Sequence, residues 1–397
     1  MAKKRGNNEG SITRGPDGRW MAQVTIGRDP ETGKLKRATF YGKTRQDVAD
    51  KLTKALRDKQ QGTFVAPHTL TLGEWLDTWL WEYKKPRLRP NSFDSYERLV
   101  RCHLKPALGQ LALRDLRPEH LQHFYNEKMQ QGLAAGTVRY CHTLLHGALA
   151  QAEQHGLLVR NVTKLTALPR EARKEMCTLT LDQVTTKLLP ALTQDRLFAA
   201  IFLAFGTGLR RGEILALRWK DIDQKADTLE VRQTLVRVKN RAQGAGAGRT
   251  RLLLQEPKTA HSRRTVPIPE ACLAALKQHR ARQAEEKLLL GPAYQDHGLV
   301  FCRPDGTPMD PELLPRTFAR LLREAGLPPL RFHGARHTFA TLMLELGESP
   351  KTVQTLLGHS RVAMTLDLYS HVSLELEKKA AAKLNAALTG KARAGLQ

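Results

Sequence analysis

Residues 331–371 read RFHGARHTFATLMLELGESPKTVQTLLGHSRVAMTLDLYSH. His333 and Arg336 stand three positions apart, so on a helix they project from one face. His359 sits in Leu-Leu-Gly-His-Ser, where Gly358 lets the chain leave a helix, and Tyr369 follows ten residues later. Cations and imidazoles can hold phosphoryl oxygens, and a phenol can attack phosphorus, so these groups suit chemistry at a phosphodiester. Singly, each histidine reads as a cap or structural residue and the tyrosine as a core aromatic. Only the combination carries information.

Upstream of this stretch, Leu197–Phe205 reads as a buried helix and Thr180 with Gln183 as a capping box. The run Gly206-Thr207-Gly208-Leu209-Arg210-Arg211-Gly212-Glu213 then aims arginines at the start of a new helix, close to amide donors, which suits phosphate. Asp227–Val238, Thr250–Glu256 and Arg264–Ile268 read as strands, with Pro257-Lys258-Thr259 at a hairpin tip. A lysine there is ordinarily a solvated turn residue. In an enzyme bound to DNA it could enter the minor groove beside the scissile bond. The Gly/Ala-rich 242–248 reads as a loop.

Residues 69–168 show four helical patterns. Thr71 and Glu74 form a capping-box pair before Leu72, Trp75, Leu76, Trp79, Leu80 and Tyr83. Ser92 can cap a second helix, Pro118 begins a third, and Thr137 opens a fourth. The aromatics fall at helical spacing, which favours core packing over base stacking. Cationic rims lie at Lys84–Arg89 and Arg98–Lys105. The first 66 residues read β-β-β-α, with Trp20–Ile26 alternating at period two and Thr44 capping the helix. That segment holds fifteen Lys/Arg against seven Asp/Glu, so its sheet face is expected in a DNA groove rather than as a merely solvated surface.

The whole chain of 397 residues carries a formal charge of +25, which points to a polyanion, nucleic acid first. Five scattered cysteines without a Cys-x-x-Cys favour reduced thiols over a disulfide framework. Cys102-His103 and Cys141-His142 invite a zinc reading, but adjacent residues on a helix do not face one metal. The amino terminus has no apolar segment of a secretory signal, and the longest apolar run is too short to span a bilayer.

Thr-Gly-Leu-Arg-Arg-Gly-Glu (207–213), Pro-Lys-Thr (257–259), His-Gly-Ala-Arg-His (333–337), Leu-Leu-Gly-His-Ser (356–360) and Tyr-Ser-His (369–371) stand in the order and spacing of the tyrosine recombinases. The chain resembles that family along nearly its whole length, in particular phage and integrative-element integrases with an amino-terminal arm-binding domain. The family more often has Asp-Leu where this chain has Gly334-Ala335.

The resemblance implies a multidomain α+β fold in three parts. These are an arm-type DNA-binding domain over 1–66, a four-helix, SAM-like core-binding domain over 69–168, and a mainly α catalytic domain with a small antiparallel sheet over 178–397. The catalytic domain would end in an exchange helix over Leu374–Leu388 that docks on a neighbouring protomer. Arg210 and Arg336 would clamp the non-bridging oxygens, His333 would act as acid/base, Lys258 would protonate the leaving 5′-oxygen, and His359 would hydrogen-bond a phosphoryl oxygen. Tyr369 would be the nucleophile, leaving a 3′-phosphotyrosine. Neither cofactor nor metal is implied. Expected partners are double-stranded attachment-site DNA at core and arm sites, three further copies in a homotetramer, a host DNA-bending protein and an excision directionality factor. The expected place is the cytoplasm of a bacterial host, at the nucleoid, with no membrane association. Two other readings are a type IB topoisomerase-like strand-passage enzyme and a non-catalytic architectural DNA-binding protein.

Overall fold

The computed structural model describes residues 10–16, 18–28, 33–60, 69–171, 177–241, 249–257, 262–358, 381, 382 and 385. The expected linker over 62–68, the 242–248 loop, Lys258, His359, Tyr369 and most of the 374–388 helix lie outside the described residues. The chain divides into two compact units, Met1–Arg173 and Lys174–Gln397.

The first unit contains two separate hydrophobic cores. The smaller lies under an antiparallel sheet of β1 (Ser11–Arg14), β2 (Trp20–Arg28) and β3 (Leu35–Gly42), in the order β1-β2-β3. Helix α1 (Arg45–Gln60) follows, and its first turn is capped by Thr44, whose Oγ1 accepts from the Asp47 amide at 3.1 Å. The period-two pattern turns Ala22 and Val24 inward, where they meet Ala38 and the Val48, Leu52 and Ala55 face of α1.

The larger core belongs to helices. α2 (Leu72–Thr78) starts at the expected box, with the Thr71 hydroxyl taking the Glu74 amide at 3.2 Å and the Glu74 carboxylate taking the Thr71 amide at 2.8 Å. It runs on through Trp79–Lys84 in a wider turn. α3 (Pro90–Leu99) continues through Val100–Leu104 into α4 (Lys105–Leu108), followed by α5 (Pro118–Gln130) and α6 (Ala135–Gln154).

Two helix starts differ from expectation. α3 begins two residues before Ser92, because Pro90 at the first position is already fixed at a helical φ. α6 begins two residues before Thr137, whose amide already donates to the Ala134 carbonyl at 2.8 Å. The aromatics are core: Trp75, Trp79, Phe93, Phe124 and Tyr125 are buried, and Trp75 donates its indole N–H to the Ala148 carbonyl at 2.8 Å. Cys141 is buried and Cys102 exposed, and among the described residues no three His, Cys, Asp or Glu side chains gather as metal ligands would.

In the second unit the Thr180–Gln183 box opens a turn over Gln183–Leu188 that leads into α7 (Leu189–Leu192). α8 (Phe198–Thr207) and α9 (Arg211–Ala216) follow, then β4 (Ile222–Asp223), β5 (Thr228–Val231), β6 (Thr234–Lys239), β7 (Thr250–Gln255) and β8 (Arg264–Pro267). The unit continues with α10 (Glu270–Leu290), α11 (Leu313–Glu324), α12 (Phe332–Glu345) and α13 (Pro350–Leu357).

The strands form two antiparallel sheets, β4-β5-β8 and β6-β7, which corrects two expectations. Residues 227–238 are two strands in different sheets, since the chain leaves the ladder at Arg232–Gln233. The strands on either side of Pro257-Lys258-Thr259 do not pair with each other as a hairpin would, because β7 pairs with β6 and β8 with β5. The fold class is as expected, mainly helical with small antiparallel sheets. Among the described residues no helix is long and apolar enough to cross a membrane.

Candidate active site

Two helix ends meet at α12. α8 is apolar almost all round, so it is buried, and it stops at Gly208, which takes the left-handed conformation at φ 63°. A β-carbon at Gly208 would stand 2.5 Å from the Phe339 ring and 2.7 Å from Leu357, so the residue also permits close approach. α13 is capped at its start by Ser349 and ends at Gly358, also left-handed at φ 65°. Phe339, Ala340 and Leu344 of α12 pack on Val353 and Leu357 of α13.

Arg336 projects from α12 into this junction and is 3 % exposed. It donates from Nη1 to the Gly208 carbonyl at 2.8 Å and from Nη2 to the Leu357 carbonyl at 2.6 Å, satisfying the acceptors that two helix ends leave open. Burial, and after it the Arg210 charge, push its guanidinium down to about 9, so it stays protonated at neutral pH.

Arg210 is the residue before α9. Its amide donates to one Glu213 oxygen at 2.9 Å and its Nη1 to the other at 2.8 Å, while Nη2 approaches the Gly358 carbonyl at 3.5 Å. Its side chain is 36 % exposed and Glu213 only 5 %. Arg211, the next residue of the motif, turns elsewhere and pairs with Glu312 at 2.9 Å.

His333 lies on the second residue of α12 and reaches solvent, with its ring edge-on to His337 at 4.8 Å. The packing around it, then His337, Arg336 and Arg210, hold the imidazole below its ordinary value, so it is neutral at pH 7. His337 is lowered too, by burial and Arg336. The structure thus brings Arg210, His333 and Arg336 together. Lys258, His359 and Tyr369 lie outside the described residues.

Two further residues belong to the cluster. Glu213 was part of a recognised motif without a role. Burial would raise its carboxyl, but Arg264 and Arg210 outweigh that and hold it below the carboxylate range. Arg264 stands in the sequence reading only as the first residue of a strand. The available signal was parity, because positions 264, 266 and 268 share a strand face on which Val266 and Ile268 are buried. An arginine on an inward face requires a partner. Three guanidinium groups around one carboxylate leave the cluster cationic, as an anionic phosphodiester needs.

Comparison with known proteins adds an independent line. The model of the phage integrase family matches residues 178–375, and that of the phage integrase N-terminal SAM-like domain matches 71–129. A tyrosine recombinase XerC-like protein of Caldanaerobacter subterraneus subsp. tengcongensis is 36 % identical over 375 residues, spanning 92 % of this chain and 95 % of its own. Among solved structures, the Tn1549 transposon integrase in complex with transposon right-end DNA superposes with a TM-score of 0.66 at 22 % identity, covering 80 % of this chain and 100 % of that one. A lambda integrase tetramer bound to a Holliday junction matches with a TM-score of 0.54 at 20 % identity, covering 92 % of this chain and 96 % of that one.

Proposed function

The chain belongs to the phage integrase family of tyrosine recombinases and is a tyrosine-type site-specific DNA recombinase; from that premise we propose that its chemistry runs on Arg210, Lys258, His333, Arg336, His359 and Tyr369. The observation that carries the residue roles is the convergence of two guanidinium groups and a neutral imidazole at the ends of α8 and α13.

Tyr369 attacks the phosphorus of one strand, the P–O5′ bond breaks, and a 3′-phosphotyrosine and a free 5′-hydroxyl result. A phenol of reference pKa about 10 must lose its proton, and a neutral His333 can take it. Lys258 gives a proton to the departing 5′-oxygen. Arg210 offers the more solvent-facing fork and Arg336 a buried, little-screened charge, and together they stabilise the extra negative charge of the pentacoordinate transition state. His359 hydrogen-bonds a phosphoryl oxygen. A 5′-hydroxyl from another strand then attacks the phosphotyrosine and releases the enzyme, so the phosphodiester energy is conserved through the cycle.

The modular reading accompanies this chemistry. Residues 1–66 bind arm-type sites, with the outer face of β1–β3 in a major groove. Residues 69–168 bind the core site, residues 178–397 cut and rejoin it, and the 374–388 helix exchanges between protomers of a tetramer. The reaction serves integration and excision of a mobile element at the host nucleoid, with a DNA-bending protein and a directionality factor as accessory partners. Complexes of the Tn1549 and lambda integrases with DNA support double-stranded DNA as the substrate.

The test is covalent trapping on a nicked suicide duplex carrying the junction sequence that flanks the coding region. Tyr369→Phe should bind the duplex as the parent does and form no covalent adduct. A covalent adduct with that variant would remove Tyr369 as nucleophile.

A further inference from the structure

Arg264 touches more of the site's framework than either arginine assigned to the phosphate. Its side chain is 7 % exposed. Nε donates to the Leu356 carbonyl at 2.7 Å, Nη2 to Glu213 at 3.0 Å, and Nη1 to Glu213 and to the Ser262 carbonyl, both at 3.3 Å. One planar fork therefore ties β8 to the start of α9 and to the end of α13.

The end of α13 shows a regular pattern. Leu356, Leu357 and Gly358 are consecutive, and three arginines from three segments each take one of their carbonyls. Arg264 takes Leu356, Arg336 takes Leu357, and Arg210 approaches Gly358. These acceptors are the ones a helix leaves open at its carboxy end, where the dipole is also negative, so cations collect there for a plain electrostatic reason. The next residue in the chain is His359.

We propose that Arg264 is a positioning residue for phosphodiester cleavage. By binding Glu213 and the Leu356 carbonyl at once, it holds the Arg210 guanidinium and the last turn of α13 in a single geometry. Arg210 and Arg264 share one carboxylate, and Glu213 also accepts the Arg210 amide. Freed from Arg264, the Glu213 carboxylate can rotate, and Arg210 follows it. Lysine cannot substitute, because a single ammonium has no rigid fork to span a carboxylate and a carbonyl together. The proposal rests on the reading of Arg210 as a phosphate ligand, which the experiment tests separately.

The experiment uses the full chain, single-turnover cleavage of the suicide duplex, and a second duplex with a methylphosphonate at the scissile position. There a methyl group replaces one non-bridging oxygen, so less charge awaits a guanidinium. Arg264→Lys should cleave the phosphate substrate about 100-fold more slowly, the scale of a misplacement on the order of 1 Å, with duplex affinity within about twofold of the parent. On the methylphosphonate duplex the gap to the parent should close to about threefold. An equal loss on both substrates, or a loss that tracks weaker DNA binding, overturns the positioning role.

Should Arg264→Lys not fold, Glu213→Gln removes the same link from its other side and should show the same pattern. Arg210→Lys separates the two failures. If it cleaves the phosphate duplex as fast as the parent, the phosphate-ligand reading falls and the positioning role with it. If its defect closes on methylphosphonate while that of Arg264→Lys does not, only the positioning role falls.

Discussion

Replacing Arg336 by glutamine should separate stability from activity. The guanidinium is 3 % exposed and is lowered from its ordinary value to about 9, first by burial and then by Arg210. At about 1.4 kcal/mol per pH unit, the charged form costs the folded state about 5 kcal/mol. A base with a lowered folded value carries that cost in full below pH 9, and so at neutral pH. Against it stand the hydrogen bonds to Gly208 and Leu357, each charge-assisted and worth about 1.5–3 kcal/mol. The two terms nearly cancel.

Arg336→Gln, which discards both, is therefore expected within about 2 kcal/mol of the parent, or under about 8 °C in Tm for a unit of this size. Cleavage should fall by about 10²–10³, the scale of a lost transition-state donor. Differential scanning calorimetry and single-turnover cleavage on one preparation decide the matter. A Tm drop well beyond 10 °C would mean that the guanidinium is a net contributor to the fold and that its burial cost has been overstated.

Two other perturbations follow from the same junction. Gly208→Ala puts a β-carbon into a left-handed residue facing Phe339 and Leu357, and strain with overpacking should cost about 2–4 kcal/mol, read as a lower urea midpoint; an unchanged midpoint would show that α8 and α12 can part without loss. Acid should weaken the second unit. Glu213, held below its ordinary 4.5, contributes stability that is lost as pH falls through its lower folded value, while His333 and His337, held below 6.5, make the unfolded chain the better proton acceptor once pH drops below that value. The urea midpoint at about pH 5 should lie below that at about pH 7.5, and an equal or higher value would contradict the signs of these shifts.

What could be read from the sequence was mostly local. The Thr71–Glu74 and Thr180–Gln183 boxes act within one turn, and both stand where a three-residue spacing put them. Ser92 and Thr137 stand inside helices that begin at Pro90 and Ala135, because proline and backbone geometry, rather than a hydroxyl, began those helices. The strand region failed for a non-local reason: β5 and β6 are adjacent in sequence yet do not pair with each other, β5 lying between β4 and β8 and β6 pairing with β7. Arg264 is the sharpest case. Its partners Glu213 and Leu356 lie 51 and 92 residues away, and no window of neighbouring sequence contains them.

Gly334 in His-Gly-Ala-Arg-His is tied to a residue four positions before it. A β-carbon there would fall on the Leu330 side chain, which is itself nearly buried. Adding that carbon therefore requires Leu330 to move or shrink, and shrinking Leu330 alone gives up buried apolar contact. Each single step is unfavourable while the pair together need not be. Positions 330 and 334 thus act as one steric unit, so that a substitution at either changes what the other tolerates.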